Sequence, residues 1–310
     1  MEPLQPDIQN LPEGETPRPP APPNVFQRMR PALFAVLSLA VIFFLYQIVG
    51  GGLVLIASGG RVSEANISLV RWTTLIGQVV FILIPTLLLT RLRHRRLREF
   101  FRLRLPGFRE LLLSVVGVFA LQQMLVGYMA LQDLIPLPPE LQRLIDLVKK
   151  LYEETYRLLV VAHSPLEFLG VLTVVALVPS LVEELLFRGL VQRNLEEASG
   201  GMRGAVLAGL IFGAYHLIPT SFIPLSLLGI YFGVLVFRTQ NITVAMAAHF
   251  FNNAVACAAM SMRLEDDFVI VAPGGGATTG DMIANFALFT VVFVASTSYL
   301  LAITRPPQTK

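Results

Sequence analysis

The chain has 310 residues, of which 54% are hydrophobic and only 15% are charged, and its mean hydropathy is +0.66. Soluble domains carry about 25% charged residues, so this composition excludes an ordinary soluble domain and predicts a protein with several membrane spans. The formal net charge is +3, but the basic residues lie beside apolar runs, where they indicate topology rather than nucleic-acid binding. The single cysteine, Cys257, excludes an internal disulfide.

The N-terminal segment, residues 1–30, is predicted to be a disordered tail. It is rich in proline and polar residues and holds too little apolar surface to order itself. The apolar run that follows, Ala32 to Ala57, is too long for the hydrophobic region of a signal peptide. We therefore expect it to be an uncleaved first span.

A membrane span needs about 20 mainly apolar residues, and this rule predicts an all-α polytopic membrane protein with a bundle of about eight transmembrane helices. The fifth and sixth helices are short and are separated only by the turn near Pro219, so they could instead form a hairpin that does not fully cross. The predicted spans are Ala32–Ala57, Leu69–Thr90, Leu111–Leu134, Leu166–Arg188, Gly204–Leu217, Phe222–Phe237, Ile242–Met262 and Met282–Thr304.

The segment from Arg91 to Arg109 joins the second and third predicted spans and contains eight arginines. The positive-inside rule assigns it to the cytoplasm, and alternation then puts both termini inside. This predicts a multi-pass protein of a bacterial cytoplasmic membrane. The arginines could also bind anionic lipids, but the topology signal is the simpler interpretation.

The segment from Pro136 to Ser164 closes a predicted N-terminal region, residues 31–165, that also includes the first three spans and the arginine-rich loop. It is too charged to span, yet its apolar residues recur every three or four positions. This spacing is typical of an amphipathic helix at the membrane interface. We expect it to pack over the helix ends on the outer side.

The fourth predicted span contains two adjacent carboxylates and an arginine within the sequence VEELLFRGLV, residues 182–191. Ionisable groups at membrane depth are costly and usually serve a function. Glu184 and Arg188 are four residues apart, so they share a helix face and can form an ion pair. Glu183 points about 100° away and has no cation nearby in sequence, which makes it a candidate general base.

Two later predicted helices carry the other polar groups of the bundle. His216 is on the fifth helix, and His249 and Asn253 are four residues apart on the seventh. Taken alone, each histidine could be a hydrogen-bonded structural residue. The Glu184 and Arg188 pair, taken alone, could be an ion pair that only stabilises the fold. Together with Glu183, however, these residue types can supply the base, the imidazole and the oxyanion donors of a site that activates water. We therefore predict a site between helices 4, 5 and 7.

The order and spacing of these residues resemble the CPBP intramembrane proteases, the family of CAAX prenyl protease 2 and the bacterial Abi proteins. That family carries three motifs on separate helices, EExxxR, FxxxH and HxxxN. Here Glu183, Glu184 and Arg188 match the first, Phe212 and His216 the second, and His249 and Asn253 the third. The resemblance defines a catalytic core at residues 166–262, followed by an outer loop and the last helix at residues 263–310.

The resemblance implies an intramembrane endopeptidase that cleaves membrane-associated proteins or peptides, with CAAX proteins and bacteriocin precursors as possible substrate classes. Glu183 and His216 would activate water, His249 and Asn253 would stabilise the oxyanion, and Glu184 with Arg188 would orient the site.

Metal dependence is left open. Glu183, His216 and His249 could bind zinc with one open position, as in a metalloendopeptidase, but the HExxH spacing of helical zinc proteases is absent. The alternative is direct catalysis by the glutamate without a metal.

Two other functional classes remain as alternatives. Intramembrane glutamate, histidine and arginine also occur in transporters, although the chain shows no internal repeat, and a non-catalytic immunity or scaffold protein would keep the helices without the chemistry. The sequence does not indicate the oligomeric state.

The topology also predicts where the site opens. Glu183 lies only about 7 Å along the axis from Arg188, at the cytoplasmic end of the fourth predicted span. His216 fits better if that helix continues to about Glu196, which would place the site deeper. We expect a water-filled cavity that reaches Glu183, His216 and His249 from the cytoplasmic side, where the arginine-rich segment lies.

Overall fold

The computed structural model describes residues 22–261 and 278–304, and within these ranges the regular structure is entirely helical. Most of the predicted tail and the acidic outer loop lie outside the described residues. Short helices at Val25–Arg28 and Leu97–Phe100 and a 3-10 turn at Pro219–Ser221 join the longer ones. The nine long helices are α1 Pro31–Ala57, α2 Ile67–Arg93, α3 Phe108–Gln132, α4 Pro139–Val160, α5 Pro165–Ser199, α6 Gly201–Tyr215, α7 Phe222–Thr239, α8 Ile242–Ser261 and α9 Thr279–Ile303.

The predicted polytopic all-α fold is confirmed. Among the described residues, seven helices are long and apolar enough to cross a membrane, and α6 is a shorter apolar helix of 15 residues. At 1.5 Å per residue α6 is about 22 Å long, which is less than the roughly 30 Å of a hydrocarbon core. It pairs closely with α7, which is itself one of the seven helices long enough to cross, so only α6 of the predicted hairpin is short.

Helix α5 is longer than its predicted core. It continues without a break past Arg188 to Ser199 and contains 35 residues, so the predicted extension to about Glu196 is confirmed. Gly200 ends it with φ 91°, a conformation that glycine adopts at little cost because it has no Cβ. The extension places Glu183 near the middle of the helix.

Three helices of the bundle contain π-helical segments. They lie at Phe44–Gly50 in α1, at Val79–Leu83 in α2, and at Thr173–Leu177 and Leu185–Val191 in α5. Segments from the three helices contact one another. π-Helical turns are rare and occur frequently at functional sites. Their concentration in three adjacent helices therefore indicates that a functional site lies between these helices.

Glycines let the backbones of α6 and α7 approach closely. A Cβ at Gly229 would lie 2.7 Å from the carbonyl oxygen of Gly209, and one at Gly233 would lie 2.8 Å from that of Ala205. A Cβ at Gly209 would overlap the backbone nitrogen of Ile230. Backbone atoms cannot move aside as the end of a side chain can, so these positions require glycine.

We expect Gly209→Ala to lower the melting temperature of the purified protein, because the added methyl group forces α6 and α7 apart. Overpacking typically costs about 1–3 kcal/mol. Gly170→Ala is the matched control, since a Cβ there meets nothing within 4 Å. Alanine is the better helix former, so this control should melt at the same temperature or higher. Equal melting of the two variants would contradict the close packing.

The two ends of the bundle differ in chemistry. At the arginine-rich end, Arg102 pairs with Glu196 of α5 at 2.5 Å, and Arg104 donates to the carbonyl of Thr239 at 2.6 Å. At the other end, Arg71 of α2 donates to the carbonyls of Leu158, Leu159 and Val161, near the C-terminus of α4, and pairs with Glu167. Hydrogen bonds from Arg71 therefore hold the C-terminus of the amphipathic helix α4 at the end of the bundle opposite to the arginine-rich segment.

Candidate active site

A cavity of about 360 Å³ lies inside the bundle, and its wall includes Glu183, His216, His249 and Asn253. These residues come from α5, from the end of α6, and from α8. Their side chains were predicted to converge, and the structure brings them to one cavity. Glu184 and Arg188 lie behind this wall and are buried.

Glu183 and Glu184 have different environments, although they are adjacent. Glu183 faces the cavity and is partly exposed. Within residues 22–261 and 278–304, no hydrogen bond or ion pair is recorded for its carboxylate. An unpaired carboxylate beside a cavity that can admit water has the free lone pairs that a general base needs.

Glu184 is the centre of a buried polar network. One carboxylate oxygen lies 3.2 Å from Nε of Arg188, and the other lies 2.9 Å from Nδ1 of His249. The side chains of Glu184 and Arg188 are both 0% exposed. A carboxylate paired with a guanidinium accepts hydrogen bonds, so we assign Nδ1 of His249 as the donor to Glu184.

Arg188 is enclosed by aromatic rings and one backbone carbonyl. Its guanidinium carbon lies 4.7 Å from the ring centre of Phe212 and 5.4 Å from that of Phe232, and Nη2 donates to the carbonyl of Gly229 at 2.9 Å. Such cation–π contacts favour a desolvated guanidinium. Glu184 and Arg188 of the first motif therefore form a rigid support behind the cavity wall, whereas Glu183 of the same motif faces the cavity.

His249 is held in one orientation from both sides. Its ring stacks on Phe232 with centres 5.1 Å apart, and Phe212 meets it edge-on at 5.9 Å. Because Nδ1 is bound to Glu184, the atom left for chemistry in the cavity is Nε2. Orientation of an imidazole by a buried carboxylate is a common feature of catalytic histidines.

His216 is the C-cap residue of α6. Its Nδ1 lies 2.8 Å from the carbonyl oxygen of Phe212, four residues earlier. Nδ1 therefore donates, and Nε2 is the basic nitrogen. Phe212 also packs against both His216 and Arg188, so the FxxxH spacing places one ring between the arginine and the histidine.

Asn253 is bound to the backbone of α5. Its Nδ2 donates to the carbonyl of Val175 at 3.2 Å. Pro179 is four residues later and has no N–H to donate to that carbonyl, and the amide of Asn253 donates to it instead. Asn252 donates to Oδ1 of Asn253 at 3.1 Å, and the second proton on Nδ2 of Asn253 remains for the cavity.

The cavity wall also contains residues that the three motifs do not include. Tyr46 of α1 and Gln78 of α2 lie opposite the motif helices, and Tyr152 and Tyr156 of α4 close the space above. Burial raises the pKa of Tyr156 above its usual value, so its phenol stays protonated at neutral pH. In the sequence, Tyr46 and Gln78 could have been identified because they are polar residues within the first two apolar runs.

The placement of the side chains does not assemble the suggested zinc site. Within the described part of the chain, no three His, Cys, Asp or Glu side chains are grouped closely enough to hold a metal ion. Glu184 is already taken by Arg188 and His249. The residues therefore do not fit a three-ligand metal site in this conformation, and the chemistry below is derived from the side chains alone.

The cavity lies toward the end of the bundle that is opposite to the arginine-rich segment. Its outer wall includes Tyr156 and Leu159 of α4 and Ile218 and Ser221 of the turn after α6, at the end opposite to the arginine-rich segment. The wall includes no residue of that segment, and the side from which water enters stays a prediction. The short helix α6 ends inside the bundle, and α4 covers the space beyond its C-terminus. A count of residues along each helix does not predict this arrangement.

We expect a cysteine at Ser221 to be labelled by a membrane-impermeant thiol reagent from the face opposite to the one that labels a cysteine at the exposed Arg98. Both variants are made in a Cys257→Ala background and compared in sealed vesicles of known orientation. Ser180 and Tyr215 are poor reporters because both are buried. Labelling of both cysteines from the same face would contradict the direction of the cavity.

Comparison with known protein families gives a match within the catalytic region. Residues 165–255 match the family described as "Rce1-like: Type II CAAX prenyl endopeptidase Rce1-like". The matched segment contains all three motifs and confirms the resemblance drawn from them. The chain matches no curated protein and no solved structure.

Proposed function

We propose, from the match of residues 165–255 to a family of membrane endopeptidases, that this multi-pass membrane protein hydrolyses peptide bonds of membrane-associated proteins or peptides, with Glu183 as the general base. The observation that carries the proposal is the contrast between the two adjacent glutamates. Glu184 is buried and paired with Arg188 and His249, whereas Glu183 faces the cavity without a partner among the described residues.

The proposed reaction uses four side chains of the cavity. Glu183 takes a proton from a water that is also hydrogen-bonded to Nε2 of His216, and the water oxygen attacks the carbonyl carbon of the substrate. Glu183 then returns the proton to the leaving nitrogen as the C–N bond breaks. The second proton of the water passes from the new carboxylic acid to the amine, so the products are a carboxylate and an ammonium group.

The developing oxyanion needs donors on the other side of the cavity. His249 can donate from Nε2 when that nitrogen carries a proton, and Asn253 can donate its second amide proton. Arg188 keeps Glu184 in place and does not reach the cavity wall. The proposed roles of His249 and Asn253 follow from these contacts and from the match to the family.

The substrate class is proposed only coarsely. The cavity combines aromatic and polar residues and adjoins the amphipathic helix α4, which suits an extended peptide segment held at a membrane surface. A prenylated CAAX tail and a bacteriocin precursor both satisfy this description. We propose a bacterial cytoplasmic membrane as the location, with both termini inside, from the distribution of the arginines.

The test is cleavage of fluorogenic peptides anchored by a prenyl group, an acyl chain or an apolar helix, with protein purified in detergent and returned to vesicles. We expect cleavage of at least one class, and we expect it to persist after the metal content has been brought to zero by chelation. Stoichiometric zinc whose removal abolishes cleavage would replace the unaided glutamate with a metal mechanism. Solute flux without any cleavage would favour a transporter.

A further inference from the structure

An open groove of about 500 Å³ lies at the arginine-rich end of the bundle. It shares no wall residue with the cavity that contains Glu183. Its wall consists of three arginines, one glutamate and two neutral residues, namely Arg98, Glu99, Arg102, Leu103, Arg104 and Gln240. Guanidinium groups are suited to bidentate binding of phosphate, so the groove has the composition of an anion-binding site.

Two of the three arginines are held in place by the protein. Both terminal nitrogens of Arg102 donate to the carboxylate of Glu196 on α5, and the two side chains are each only 8% exposed. Arg104 donates to the carbonyl of Thr239 at 2.6 Å and pairs with Glu110 at 2.8 Å. A guanidinium has five N–H groups, so these contacts leave donors on both arginines unused.

The third arginine of the groove has no protein partner. Arg98 is exposed, and no hydrogen bond or ion pair is recorded for its side chain within residues 22–261 and 278–304. Glu99, the acid of the wall, is paired with Arg96 instead. The side chain of Arg98 is therefore free to move toward an anion that enters the groove.

The acids near the groove do not balance its positive charge. The segment from Arg91 to Glu110 contains eight arginines and two glutamates. Glu196 is shared between Arg102 and a second arginine of α5, Arg193, at 3.5 Å. This excess of positive charge favours an anionic ligand over a neutral one.

Two large apolar side chains follow Arg104 in the chain and are almost fully exposed. Leu105 is 90% exposed and Phe108 is 77% exposed. Phe108 is the first residue of α3, which is long and apolar enough to cross a membrane, so both side chains lie where that helix enters the bilayer. A soluble anion does not need an apolar surface, whereas a phospholipid has both a phosphate group and acyl chains.

We propose that this groove binds the headgroup of an anionic phospholipid from the leaflet at the arginine-rich end. Arg102 and Arg104 form a fixed base for the phosphate, Arg98 closes on it, and the acyl chains lie against Leu105 and Phe108. The site is separate from the catalytic cavity, and the proposal does not depend on the endopeptidase function.

The test is native mass spectrometry of the purified protein in detergent, titrated with phosphatidylglycerol or phosphatidylcholine. We expect one phosphatidylglycerol to bind more tightly than phosphatidylcholine. Arg98→Gln should weaken this binding about fivefold, the effect of one arginine on an anionic lipid. Arg95→Gln is the matched control and should bind as wild type does, because Arg95 is exposed on the same segment but is not part of the groove wall.

Leu105→Ser tests the contact with the acyl chains and should also weaken the binding of phosphatidylglycerol. Equal losses in Arg95→Gln and Arg98→Gln would show a diffuse attraction to the whole segment and would overturn the groove as a site. Equal binding of the two lipids by wild type would do the same. Displacement of the lipid by an equal concentration of inorganic phosphate would assign the groove to a soluble anion and reject the lipid.

Discussion

Glu183→Gln is expected to abolish peptide cleavage without unfolding the protein. The substitution keeps the size of the side chain but removes the ability to accept a proton from water, and the loss of a general base typically lowers kcat by about 100- to 10,000-fold. The carboxylate faces a cavity and has no recorded partner within the described ranges, so no buried charge is left unpaired. We expect the melting temperature and the size-exclusion profile to match those of wild type.

Glu197→Gln is the matched control for this experiment. Glu197 lies on the same helix and is exposed outside the cavity, so the same chemical change should leave kcat unaltered. A folded Glu183→Gln protein that cleaves at the wild-type rate would remove Glu183 from the mechanism. It would also leave the unpaired carboxylate of the cavity unexplained.

Glu184→Gln is expected to have the opposite profile, with a large loss of stability. Glu184 is the only recorded acidic partner of the buried Arg188 among the described residues, and its removal leaves a guanidinium charge uncompensated in the bundle. Breaking a buried ion pair from one side typically costs about 3–5 kcal/mol. The measurement is thermal unfolding in detergent, with Glu183→Gln as the comparison one residue away.

A second substitution tests the reason for that loss. Replacing Arg188 by methionine in the Glu184→Gln protein removes the uncompensated charge and fills much of the same volume among Phe187, Phe212 and Phe232. Apolar replacement of a whole buried pair is often close to neutral, so the double variant should regain much of the lost stability. A double variant that is less stable than Glu184→Gln would show that the cost arises elsewhere.

The helices were largely predictable because apolar runs of sufficient length have few alternatives in a membrane. The end of α5 was harder to place, since Arg188 looks like the end of a span when burial by neighbouring helices is unknown. In the fold, three aromatic rings and Glu184 surround this arginine, and α5 continues beyond it. The π-helical segments had no recognisable pattern in the sequence.

The sequence was enough to predict which residues lie at the site, but not which contacts each of them makes. Spacing gave the pairing of Glu184 with Arg188, but the bond from Glu184 to His249 joins helices that are 65 residues apart in sequence. The direction of the cavity depends on where the short α6 ends relative to its neighbours, which is a property of packing. Tyr46 and Gln78 were not identified because no motif spans α1, α2 and α5.

The short length of α6 has a consequence for the surrounding lipid. Leu207 and Leu210 on this helix are exposed, so acyl chains contact a surface of about 22 Å beside α5, whose 35 residues extend for roughly 52 Å. An apolar helix shorter than the roughly 30 Å hydrocarbon core is a hydrophobic mismatch, and a bilayer accommodates it by thinning beside the short helix. Headgroups and water are then drawn down toward the depth of His216. The energetic penalty for bringing a polar peptide bond to that depth is correspondingly lower.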